Sequence, residues 1–148
     1  MDLIRAFAEY AVDFERTYVD DDWRRLERHF HGDATYRIEN SPFDCVLHGR
    51  ASLLAGMRRS LNGFDRRCAL RSMRPTAPPE IDGNKVIVRW SGRYAAGTVE
   101  ALEVSGTETA EYRGQRIASL VDSYQARDVP RFIDWLRRCG LSLDPSYR

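Results

Sequence analysis

The side chains best suited by type to move a proton are two carboxylates late in the chain, Glu108 and Asp122, and one histidine, His48. A carboxylate held in an apolar cavity has its pKa raised by desolvation, which fits it to act as a base or acid near neutral pH. His48 precedes Gly49 at the mouth of an expected hairpin, from where it could reach a cavity as a ligand contact or proton shuttle. These groups are scattered single residues rather than a motif.

Other chemistries lack their residues. There is no Gly-x-Ser-x-Gly elbow, no Cys with a placed His, and no glycine-rich phosphate loop. No two histidines stand at i and i+4, and no His-x-Glu or Cys cluster accompanies them, so neither a metal site nor a cofactor is expected. Asp20, Asp21 and Asp22 lack the further oxygen donors of a metal loop and read as caps for a helix that follows. His29 and His31 read as helix-end or solvent-facing residues.

The chain has 148 residues, 43% hydrophobic and 30% charged, with 23 basic and 22 acidic side chains and a net charge of +1. That is the length of one domain, 1–148, and the charge balance supplies no field for a nucleic acid or an anionic membrane. The clusters Arg58-Arg59, Arg66-Arg67 with Arg71 and Arg74, and Arg137-Arg138 are expected to pair with Glu100, Glu103, Glu108 and Glu111 across a wet sheet face. The start, Met1-Asp2-Leu3-Ile4-Arg5, does not read as a secretory signal, and no apolar run reaches a membrane span. Three widely spaced cysteines, Cys45, Cys68 and Cys139, read as free thiols in a reducing cytoplasm.

The elements that must position the candidate residues follow from periodicity. Leu3, Phe7, Tyr10, Phe14 and Tyr18 predict an amphipathic helix; Trp23, Leu26 and Phe30 predict a second, and Leu54, Met57, Leu61 and Phe64 a third ending at Asn62-Gly63. Between the second and third, alternation through Ala34, Tyr36 and Ile38 gives a strand, with Cys45 to His48 as its short partner. Strands then run over about 67–76, 85–94, 98–112 and 115–124, with a bend or bulge expected at Ser105-Gly106 and a last helix near 128–139. Gly114-Gln115 as a two-residue turn sets Tyr112 opposite Ile117 and Glu108 opposite Val121, so without a bulge Glu108 and Asp122 point to opposite faces. The order predicts an α+β fold: a cone-shaped, curved, antiparallel or mixed sheet wrapped around three N-terminal helices.

The short hairpin with Ala34-Thr35-Tyr36, the Gly49-Arg50-Ala51 lead-in to the third helix and the meander closing on Arg116-Ile117 resemble the nuclear transport factor 2-like superfamily, and within it the SnoaL-like and ketosteroid isomerase-like group. The resemblance spans about residues 3–126. It implies an open cone and often a homodimer through the outer sheet face, in a superfamily that includes isomerases, cyclases, epoxide hydrolases, oxygenase small subunits and binding proteins. Carried over residue by residue, the base of ketosteroid isomerases falls at Ile38 with Glu39 beside it, their first-helix tyrosine at about Phe14, and their protonated oxyanion Asp near Glu108. Arg116-Ile117-Ala118-Ser119-Leu120-Val121-Asp122-Ser123-Tyr124 is similar to the last strand of SnoaL-like cyclases, and Asp122 fills the place of their acid/base residue.

Phe14, Tyr18, Trp23, Tyr36, Ile38, Trp90, Tyr94 and Tyr124 lie on the elements expected to line the cone, which implies a pocket for a small apolar or aromatic molecule. The function read from the sequence is a cofactor-independent isomerase or cyclase-like lyase acting by proton transfer. The alternatives are a non-catalytic ligand-binding or dimerisation module and the small subunit of an oxygenase.

Overall fold

The computed structural model describes residues 2–141. Helix α1 (Leu3–Asp20) begins where the Asp2 carboxylate accepts the Arg5 N–H at 3.1 Å and ends at Asp21, in the left-handed region with φ 60°. Its apolar stripe buries Phe7 and Tyr10. The expected second α-helix is a 3-10 helix, Trp23–His29. Trp23 and Leu26 stand three apart, a spacing that suits either geometry, and Phe30 already starts a strand.

The acidic run does not cap that helix: Asp22 makes no side-chain cap bond. Asp20 pairs with Arg25 at 2.5 Å, while Asp21 accepts from Trp23 Nε1 at 2.7 Å and pairs with Arg58 and Arg66. His29 is likewise no end cap, for its Nε2 lies 2.8 Å from Oδ2 of buried Asp13, which also accepts two bonds from Arg28. His31 Nε2 reaches the Arg113 carbonyl at 2.5 Å.

Strands β1 (Phe30–Glu39) and β2 (Cys45–His48) form the short hairpin, and α2 (Arg50–Gly63) follows. Then come β3 (Leu70–Pro75), β4 (Glu80–Asp82), β5 (Lys85–Ala95), β6 (Leu102–Arg113), β7 (Arg116–Tyr124) and α3 (Val129–Arg138). The seven strands make one sheet in the order β2-β1-β7-β6-β5-β3, with β4 also on β5. All neighbours are antiparallel except β1 and β7, so the sheet is mixed, curved and unclosed. Pro75, Pro78 and Pro79 fall where β3 gives way to β4, on the sheet edge, where missing N–H donors cost no ladder bond.

Two irregularities matter for the site. There is no bulge at Ser105-Gly106, since β5 and β6 pair without a break from Lys85↔Glu111 to Tyr94↔Leu102. Gly106 is there for space: a Cβ on it would lie 2.6 Å from the Trp90 ring and 2.6 Å from the Ser123 carbonyl oxygen. The break occurs instead in β7, where Tyr112 pairs with Ile117 but Glu111 with Ser119, which leaves Ala118 as an extra residue. Its cause is burial. Ile117 and Leu120 are three apart yet both fully buried, and strict two-residue alternation cannot put both on one face.

The charge clusters do not pair across the wet sheet face as expected. Arg66 pairs with Asp21, Arg137 and Arg138 with Asp134, and Arg71 turns inward to Glu15 and Asp65; Arg93 and Glu103, 4.0 Å apart, make the cross-strand pair of that kind. Gly106→Ala should destabilise the protein by about 1–3 kcal/mol, because neither a tryptophan ring nor a strand carbonyl can yield cheaply; chemical denaturation of the variant checks this, and an unchanged midpoint would contradict the packing role.

Candidate functional site

The sheet and α1 enclose a cavity of about 400 Å³. Across its floor four residues stand in register on four strands: Ile38 of β1, Asp122 of β7, Glu108 of β6 and Val88 of β5. The extra residue at Ala118 shifts β7 by one, so Glu108 faces Asp122 rather than Val121, and both carboxyls point into the cavity. The expectation of opposite faces is thereby corrected.

These two groups are hydrogen-bonded to each other, and Tyr36 Oη donates to Asp122 Oδ2 at 2.7 Å. Burial, and then the Asp122 charge, hold the Glu108 carboxyl well above the ordinary carboxylate range. Burial raises Asp122 as well, but the hydrogen bonds from Glu108 and Tyr36 pull it back down. The pair therefore shares one proton, carried mainly by Glu108 and donated to the Asp122 anion.

A third group completes this end. Tyr10 of α1, 3% exposed, lines the same cavity, and among the described residues its hydroxyl has no hydrogen-bond partner. Burial, with the negative charge of the acid pair, keeps this hydroxyl protonated well above its usual range, so its O–H is available to donate. Phe14, read from the sequence at the place of a first-helix tyrosine, also lines the cavity, but the hydroxyl-bearing side chain is one turn earlier.

The walls are apolar and aromatic. Trp90 and Tyr124 meet edge to face at 5.0 Å, Phe43 packs on Tyr124 at 5.7 Å, and Tyr94 donates weakly to Met73 Sδ at 3.6 Å. Of the sequence-read pocket residues, Phe14, Tyr36, Ile38, Trp90, Tyr94 and Tyr124 line the cavity. Tyr18 and Trp23 do not: Tyr18 lies under the guanidinium of Arg71, 4.5 Å from ring centroid to carbon, and Trp23 packs on the outer side of Phe14 and bonds Asp21. His48 is displaced too. It pairs with Thr35 on the exposed edge strand β2 and stays outside the cavity, because even-numbered β1 residues face inward and their β2 partners are Leu47 and Cys45.

Sequence reading missed Tyr10, Glu15, Asp65 and Arg71. Glu15 prolongs the cavity-facing series Ile4, Ala8 and Ala11 at steps of four, three and four, a signal hidden by its charge. Arg71 shares the inward parity of Met73 and Pro75. Among the described residues no three His, Cys, Asp or Glu side chains are grouped to hold a metal ion. No helix there is long and apolar enough to cross a membrane, and all three cysteines are free.

A family model described as the SnoaL-like domain matches residues 5–120. The chain belongs to the SnoaL-like domain family. This SnoaL-like domain matches none of the curated proteins compared with it. It is similar in fold to TerC crystallised with polyporic acid (TM-score 0.65, 12% identity, 87% of this chain and 98% of that one). It is also similar to a putative SnoaL-like polyketide cyclase from Shewanella denitrificans (0.62, 15%, 88% and 96%). A third likeness is to a protein of ketosteroid isomerase-like fold from Catenulispora acidiphila in complex with trimethylamine (0.63, 18%, 90% and 94%).

Shared-proton chemistry has a stability signature. A group whose folded pKa is raised contributes stability at low pH that disappears as pH rises through the folded value. Wild-type stability should therefore fall as pH climbs from about 5 to 9. Glu108→Gln should flatten that fall and make the variant the more stable form on the alkaline side; thermal melts across this range check it, and parallel curves for the two proteins would contradict it.

Proposed function

We propose that this SnoaL-like domain binds a small, largely apolar carbonyl compound and moves a proton at the carbon beside its carbonyl, as an isomerase or cyclase-like lyase without a cofactor. The observation that carries the reading is the juxtaposition of Glu108 and Asp122 in an aromatic cavity, created by the extra residue at Ala118. Asp122 takes the proton from carbon as the C–H bond breaks. The electron pair moves onto the carbonyl oxygen, which accepts hydrogen bonds from the Tyr10 hydroxyl and from Glu108, whose O–H turns from Asp122 to this oxygen as Asp122 takes up the carbon's proton. Return of the proton to another carbon gives an isomer; attack of the enolate carbon on a second carbonyl closes a ring. Apolar walls exclude water and hold the charge in a medium where each donor counts for more.

Similar folds crystallised with polyporic acid and with trimethylamine support a small-molecule cavity. One observation favours a second reading, a non-catalytic binding module: Asp122 already accepts from Tyr36 and Glu108, and both bonds lower its basicity. The two readings separate in heavy water. With a bicyclic ketone such as β-tetralone as probe, the native protein should accelerate exchange of the hydrogens beside the carbonyl, followed by NMR. Asp122→Asn should lower that rate by roughly 10²–10⁴ while still binding the ketone. Equal exchange by both proteins, or none by either despite binding, would leave the binding module standing.

A further inference from the structure

The opposite end of the cavity holds a guanidinium set in a fixed plane. Arg71, its side chain 7% exposed, is held from two sides, and a carboxylate of the same chain occupies its outer fork. Asp65, from the turn after α2, accepts from Nε at 2.7 Å, and the Tyr18 ring lies against the carbon at 4.5 Å. The remaining two nitrogens meet both oxygens of Glu15, at 2.8 and 3.2 Å, in the two-point geometry by which arginine recognises a carboxylate. Burial works against the Arg71 charge, but these two acids more than offset it.

Glu15 is a poor permanent partner for such a site. Its side chain is 51% exposed, it sits on the cavity-facing stripe of α1, and its hydrogen bonds are those to Arg71. It lines the same cavity as Glu108 and Tyr10, on the same helix as Tyr10 and five residues further along. A ligand lying along the cavity with its carbonyl at Tyr10 and Glu108 and a carboxylate on Arg71 would have to take the place that Glu15 holds on the fork.

We propose that Arg71 is the receptor for a carboxylate on the ligand and that Glu15 occupies the receptor until the ligand arrives. The substrate class is then an apolar or aromatic carbonyl compound bearing a carboxylate, a refinement that rests on the carbonyl reading above. The exchange conserves charge at the fork: one carboxylate leaves for solvent, one replaces it, and Asp65 and Tyr18 hold the arginine throughout.

Titration calorimetry with naphthoate, naphthamide and naphthylmethylammonium tests this on the native protein and on two variants. The native protein should bind naphthoate about tenfold more tightly than naphthamide, the worth of a charge-assisted two-point contact. Glu15→Gln removes the competitor, so naphthoate should tighten several-fold while naphthamide is unchanged. Arg71→Lys keeps the charge, loses the fork and should erase the preference. Equal binding of acid and amide to the native protein overturns the proposal but leaves the apolar cavity reading intact, as does a preference for the ammonium compound. A Glu15→Gln variant that binds naphthoate no better than native overturns it without relying on any change at Arg71. Failure of all three compounds to bind defeats the cavity reading as well.

Discussion

Two carboxyl groups that face each other across an antiparallel pair, inside an aromatic cavity, cannot both be ionised. One must keep its proton, and in this protein burial and the Asp122 charge assign it to Glu108. The asymmetry gives the site an acid and a base from one residue type. It also sets what surrounds it: Tyr36 donates to the anion, and Tyr10 presents a hydroxyl with no other task among the described residues. Lysine or arginine beside the pair would ionise both groups and remove the shared proton. The cavity's inward guanidinium, Arg71, is instead engaged by Glu15 and Asp65.

Everything that places this pair is a matter of packing. Ile117 and Leu120 both need the core, so β7 takes up an extra residue and every later side chain changes face. Gly106 leaves room for Trp90 to lie across β6, where its ring meets Tyr124 and closes one wall. Below the sheet, buried Asp13 ties α1 to the 3-10 helix through Arg28 and His29, which fixes the helix that carries both Tyr10 and Glu15.

The architecture was legible from the chain because it follows from periodicity: helical stripes, then alternating strands broken by Asp82-Gly83-Asn84 and Gly114-Gln115. What went astray were features with a period error of one. The register of β7 was legible in principle, since apolar residues three apart in a strand demand a bulge, yet Ser105-Gly106 drew the irregularity to the wrong strand. His48 was drawn inward by its neighbourhood to Gly49, whereas parity on β2 sends it out. The charge of Arg71 points it to a wet sheet face; only the fold shows that Glu15 is its partner in the cavity, because nothing in local sequence links positions 56 residues apart. Tyr10 was read as core, and it is core in all but its hydroxyl.

The shared proton is open to direct measurement by carbon-13 NMR of the side-chain carboxyls of Glu108 and Asp122, titrated from about pH 4 to pH 9. The expected result is two coupled resonances, with one proton persisting on the pair through neutral pH and lost only well above the ordinary carboxylate range. Two independent carboxyls, both ionised by about pH 5, would contradict it and leave the cavity without an acid to donate.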